Sequence, residues 1–179
     1  MMIGMPRENP ALAVGAGLLE SMVVLVIVAI LLALAVPGMK GVLADAKRDN
    51  WIADVVASIQ LARTEAMKRS SRVSVCPSSD GTQCNGSAHW EAGWIVFHDP
   101  NSNGVVDVDE PIIRAQSAID GEGTIWGARK RVTFHSHGFC AGFNDTLNVC
   151  DYRGAREARR VIISNLGRVR VVAGVIGCP

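Results

Sequence analysis

From Leu18 to Val36 the chain reads LLESMVVLVIVAILLALAV, 19 residues that are nearly all apolar. That is close to the ~20 residues a helix needs to cross hydrocarbon. A cleaved secretory signal has a shorter apolar region, roughly 7–15 residues, with a small-residue cleavage site behind it. Pro37, Gly38 and Met39 follow here instead, so the span is read as retained. Beyond Gly38 and Gly41 the pattern turns amphipathic. Trp51, Val55, Ile59, Ala62 and Ala66 recur at helical spacing, with Lys47, Arg48, Asp54 and Arg63 largely on other faces. The helix is predicted to run to about Arg72, and Pro37 and the two glycines are where it would bend or unwind.

After Arg72 the period changes to that of strands separated by turn residues. RVSVC, GWIVFH, PIIRAQS, RVTFHS, TLNVC, RVIIS and RVRVV are the candidates. A long N-terminal helix against an antiparallel sheet head makes the fold class α+β. No internal repeat or low-complexity segment is present.

The chain has 179 residues, enough for one domain, and a net charge of +1 that gives no global field for nucleic acid. The distribution is uneven, however. Residues 80–125 carry eight acids and one base, and residues 126–179 nine bases and three acids, local charges of −7 and +6. Five cysteines without a C-x-x-C pair point to an oxidising compartment, and the odd count leaves one thiol over. Cys76 and Cys84 bracket a short loop, PSSDGTQ, whose closure would be modestly stabilising.

Three stretches carry candidate chemistry. DPNSNGVVDVDE, Asp99 to Glu110, matches the calcium-loop pattern D-x-[DN]-x-[DN]-G-x5-E at every fixed position. Asp99, Asn101, Asn103, Asp107 and Glu110 would be its side-chain ligands. Its flanks read as strands, and Pro111 stands where an exiting helix would begin, so the loop is a hairpin connection and no EF-hand sensor. Calcium is the only cofactor the sequence raises. His135 and His137 alternate on a predicted strand, but no acid or cysteine completes a metal site, and no nucleophile-and-base set has supporting context. No enzyme is expected. In NLGRVRVV a turn precedes an alternating strand, which would place Arg168 and Arg170 on one face. With Arg153 and Arg160 near in sequence, such guanidiniums could grip phosphates without base specificity. An ordinary solvated edge guarded by arginines is the competing reading.

Glu20 is out of place in an apolar span, where a carboxylate is costly unless paired or at the interface. The stretch GAGLLESMVVLVIVAILLALAVP resembles the N-terminal signature of type IV pilins and type II secretion pseudopilins. In that superfamily a glycine precedes the cleavage point, glutamate is the fifth mature residue and proline the twenty-second. Taking Glu20 as fifth puts Gly15 before the cut, Ala16 at the new N-terminus and Pro37 at the twenty-second position; Ala16 and Gly17 stand where Phe and Thr are usual. LARTEAMKRSSRVSVCPSSDGTQC, WEAGWIVFHDPNSNGVVDVDEPIIRA, LNVCDYRG and ARRVIISNLGRVRV, in that order, resemble minor pilins of the FimT/FimU kind and the related GspH pseudopilins.

The resemblance implies residues 1–15 as a prepilin leader and 16–38 as the transmembrane part of the helix. Residues 39–72 would be its amphipathic second half and 73–179 a periplasmic, later extracellular, β-rich head. Glu20 would neutralise the N-terminal amine of a neighbouring subunit. Partners would be major and minor pilins, the prepilin peptidase and the inner-membrane assembly machinery; members of the superfamily usually carry methylation at the new N-terminus. In FimT-like members a C-terminal G-R-x-R motif, here Gly167, Arg168, Val169 and Arg170, is associated with DNA capture for natural transformation. Cys150 with Cys178 would pin the C-terminus as in similar minor pilins, leaving Cys140; Cys140 with Cys150 is the local alternative. The alternatives to a minor pilin are a type II secretion pseudopilin and a calcium-binding extracellular module.

Overall fold

The computed structural model describes residues 17–174, 177 and 178, except for the side chains of 34–38. One helix, α1 (Leu18–Arg69), is followed by eight strands, and the chain divides between Val42 and Leu43 into two units. In the first unit α1 shows its apolar side chains on every face: Leu18, Met22, Leu25 and Leu31 are all exposed by 60 % or more. Among the described residues no helix is long and apolar enough to cross a membrane. The apolar run expected from Leu18 to Val36 ends in side chains outside the described set. The bounds of α1, Leu18–Arg69, run past the expected bend at Pro37, Gly38 and Gly41, of which Pro37 and Gly38 are outside the residues whose side chains are described.

In the second unit α1 carries the buried stripe that its spacing predicted. Trp51, Val55, Ile59, Ala62 and Ala66 are all buried. The helix stops at Arg69, three residues short of expectation, for a local reason. Ser70 takes a left-handed backbone (φ 50°), and the Ser71 N–H reaches back to the Ala66 carbonyl at 3.2 Å. That six-to-one closure ends a helix by satisfying its last carbonyls.

The strands are β1 (Val73–Pro77), β2 (Gly93–His98), β3 (Ile112–Ser117), β4 (Gly123–Trp126), β5 (Val132–Phe134), β6 (Asp145–Asp151), β7 (Arg159–Ile163) and β8 (Val169–Ala173). They form two antiparallel sheets of four, in the orders β3-β2-β1-β5 and β4-β6-β7-β8. The sequence pattern showed seven strands and no division between sheets. β4 escaped it because GTIW is four residues long, and only Ile125 in it is fully buried.

One core joins the helical stripe to both sheets, through Val73, Val75, Val96 and Phe134 of the first and Ile125, Leu147, Val149 and Val161 of the second. A smaller cluster, Cys76, Ile95 and Phe97, lies on the other face of the first sheet, covered by Cys84 and Val106 from loops. Strands β1 and β2 are therefore buried on both faces.

Candidate functional site

The β7–β8 hairpin sets the arginine geometry. Arg160 lies opposite Val172 and Arg170 opposite Ile162, and the Ser164 N–H continues the ladder to the Arg168 carbonyl. Alternation then puts Arg160, Arg168 and Arg170 on the face away from buried Val161 and Ile163. Arg168 and Arg170 are exposed, and neither side chain forms a hydrogen bond or ion pair among the described residues. Arg160 is half-buried, with its Nε unpartnered. It stands in a row across the sheet with Asn148 and Trp126, and the three line an open groove of about 700 Å³ beside Arg129 and Gly177. Trp126, Asn148 and Arg129 carried no sequence signal as a group, since only strand pairing brings them together.

Gly167 of the G-R-x-R stretch has a separate task. It is buried with φ +72°, and a Cβ there would run into the Gly138 carbonyl oxygen and approach Phe134 and Arg63 to 3.2 Å. Arg63 donates to its carbonyl at 3.2 Å, so the turn is seated on α1.

Arg153 is not brought to the arginine face. It pairs with Asp151 at 2.6 Å and Asp45 at 2.8 Å. Arg48, expected off the buried stripe, belongs to the same group: it is 2 % exposed, pairs with Asp45 at 3.0 Å and donates to the Glu157 carbonyl at 2.8 Å. Burial pushes the Asp151 carboxyl up, but hydrogen bonds and charge from Arg153, with charge from Arg48, outweigh it and hold Asp151 below the usual carboxylate range. The hydrogen bond from Arg153 likewise lowers Asp45.

Two disulfides are present, Cys76–Cys84 and Cys150–Cys178, with Cα separations of 5.6 and 6.0 Å. Cys140 is free and buried; its thiol donates to the Ser164 carbonyl at 2.9 Å, and burial pushes its pKa up. A buried, protonated thiol of this kind is inert. Gly15 and Ala16 lie outside the described residues, as does the side chain of Pro37. Glu20 stands in the first turn of α1, where the helix dipole favours a carboxylate.

The Asp99–Glu110 loop connects antiparallel β2 and β3. Asp99 and Glu110 are buried while Asn101, Asn103 and Asp107 are exposed. Burial, reinforced by the charges of Asp99 and Asp107, pushes the Glu110 carboxyl above its usual range. Among the described residues no three His, Cys, Asp or Glu side chains are gathered closely enough to hold an ion by themselves. The histidine pair does not share a strand: β5 ends at Phe134, and His137 lies in the turn that Gly138 closes onto the His135 carbonyl.

A family model described as "Type II transport protein GspH" matches residues 52–167. The chain belongs to this family. Its fold is similar to the type IV minor pilin FimU of Pseudomonas aeruginosa in two crystal forms. One is 17% identical at TM-score 0.59, covering 80% of this chain and 100% of that one. The other is 18% identical at 0.56, covering 71% and 96%. The minor pseudopilin EpsH from the type 2 secretion system of Vibrio cholerae is 14% identical at 0.50, covering 71% and 97%. No curated protein matches the chain in sequence. The family description is that of a type II transport protein, and the solved neighbours share the fold, a helix followed by an antiparallel sheet head.

Proposed function

We propose that this GspH-family chain is a minor pilin that enters a type IV pilus and helps start its assembly near the tip. The observation that carries the reading is the first unit of α1, a helix with apolar side chains exposed all round and one carboxylate, Glu20, in its first turn. Such a surface needs lipid or neighbouring helices to cover it. Before assembly the subunit is a single-pass protein of the bacterial inner membrane with its head in the periplasm. The prepilin peptidase cuts after Gly15, and Glu20 then neutralises the Ala16 amine of a neighbour. Pro37 sits where the lipid-facing half gives way to the half that carries the head.

The description of the matching family favours a second reading, a pseudopilin of type II secretion. One strain separates the two. Deletion should strip the cell of surface pili, wild-type chain should restore them, and Glu20→Ala should not. Normal pili with lost protein secretion would assign the chain to the secretion machine.

A further role in holding DNA rests on Arg168 and Arg170, exposed and without a partner among the described residues, on one sheet face with Arg160 beside them. Arg153 contributes by bracing the head, since its guanidinium is engaged by Asp151 and Asp45. The Arg168→Gln/Arg170→Gln variant should bind DNA more weakly and still support pili. Unchanged DNA binding would remove this role.

A further inference from the structure

We propose that the β2–β3 loop is a calcium site, with side-chain oxygens supplied by Asp99, Asn101, Asn103, Asp107 and Glu110. Two buried oxygens carry the inference. Asp99 is 0% and Glu110 6% exposed, yet among the described residues Asp99 Oδ1 and Glu110 Oε1 have no hydrogen-bond partner. Buried polar atoms are almost always satisfied, and each exception requires an explanation. These two belong to the first and last ligand positions of the loop pattern.

The other oxygen of each carboxylate is held in place. Ser74 Oγ donates to Asp99 Oδ2 at 2.5 Å while sharing a second hydrogen bond with Thr133, and the Asp107 N–H donates to Glu110 Oε2 at 3.2 Å. Each acid is thus oriented through one oxygen and bare at the other. Among the described residues Asp99, Asp107 and Glu110 form no ion pair; the charge of His98 acts on Glu110 but burial outweighs it. Two guanidiniums reach the loop, both at main-chain carbonyls: Arg131 donates to those of Ser102 and Asn103 at 2.9 and 2.6 Å, and Arg72 to that of Pro100 at 3.3 Å.

The exposed ligands are already gathered. Asn101 and Asn103 both donate through Nδ2 to Asp107 Oδ2, at 2.9 and 3.0 Å. Their Oδ1 atoms accept the N–H groups of Asn103 and Val105, at 2.9 and 2.7 Å, and an amide oxygen keeps a second lone pair for an ion. The carboxylates alone are not gathered into a three-acid site. Binding therefore draws Asp107 towards Asp99 and Glu110 and completes the shell with amide and main-chain oxygens. An all-oxygen set mixing carboxylates and carbonyls suits calcium, which takes 6–8 such ligands in flexible geometry. Magnesium holds to a tight octahedron and gives up its water reluctantly. Strands flank the loop, so the ion would stiffen it without opening helices. Val106 of the same loop covers the Cys76–Ile95–Phe97 cluster, so that stiffening fixes a lid over the second core.

The test uses the full chain in a neutral detergent, titrated with calcium chloride by calorimetry, with magnesium chloride as the comparison. A saturable 1:1 heat is expected, with a dissociation constant on the order of 10⁻⁴ to 10⁻³ M, the range of extracellular calcium modules. Glu110→Gln and the exposed Asp107→Asn should each weaken it at least tenfold, and Asp109→Asn should not. Circular dichroism melts establish that each variant is folded. No heat up to 10 mM calcium on a cooperatively melting chain would overturn the site. So would equal affinity for magnesium, or calcium binding unchanged in folded Asp107→Asn.

Discussion

Gly167 is the residue at which a turn, a packing contact and the arginine motif meet. Its φ of +72° lies where a side chain costs roughly 1–2 kcal/mol, and a Cβ would also strike the Gly138 carbonyl oxygen. Gly167→Ala should therefore lower stability by about 2–4 kcal/mol in urea unfolding, with overpacking adding to the backbone cost. Arg168→Gln, on an exposed side chain, should change it by less than about 0.5 kcal/mol. Equal midpoints for Gly167→Ala and wild type would refute the packing argument. The turn itself was legible from Asn165 to Gly167. Its seat against Phe134, Gly138 and Arg63 was not, because those contacts span up to 104 residues of sequence.

At the scale of elements, Arg48 shows how a helix is tied to a distant loop. The stripe Trp51–Ala66 was readable from period alone, because burial repeats with the helix. Arg48 was assigned away from it because a guanidinium is normally solvated. The last residue of β6, Asp151, and the Glu157 carbonyl from the loop after it make the burial of Arg48 tolerable. Arg48→Met should cost about 3 kcal/mol at pH 7, because it leaves buried Asp151 with one partner fewer. The sign of the pH dependence follows from a depressed carboxylate. Stability from Asp151 and Asp45 is fully present above the unfolded pKa of about 3.9 and is lost as pH falls through the lower folded value. Wild type and Arg48→Met should therefore converge as pH falls below about 4 in urea titrations. A gap that stays constant as the acid transition is crossed would show that Arg48 acts only by packing.

For the whole molecule, the charge division decides where a polyanion can approach. Residues 80–125, net −7, include the acidic β2–β3 loop, and residues 126–179, net +6, include the β7–β8 arginines. The proposed DNA contact should therefore fall on the second sheet. If Arg168 and Arg170 each touch a phosphate, affinity falls with salt at a log–log slope near −0.9 per phosphate for duplex. The Arg168→Gln/Arg170→Gln slope should be shallower by about two such steps. Identical slopes would place the contacts elsewhere.

By itself the sequence determined the local quantities: the apolar run and its lone Glu20, the buried stripe of α1, seven strands, the calcium-loop spacing and the alternation of Arg168 with Arg170. Each depends on the period of one element, and period is written in consecutive residues. Tertiary structure alone decided the split into two sheets, the strand β4, the capture of Arg48 and Arg153 by Asp45 and Asp151, and the bare oxygens of Asp99 and Glu110. Each of these is a question of which groups meet and which stay without partners, and burial settles it by bringing together residues far apart in the chain.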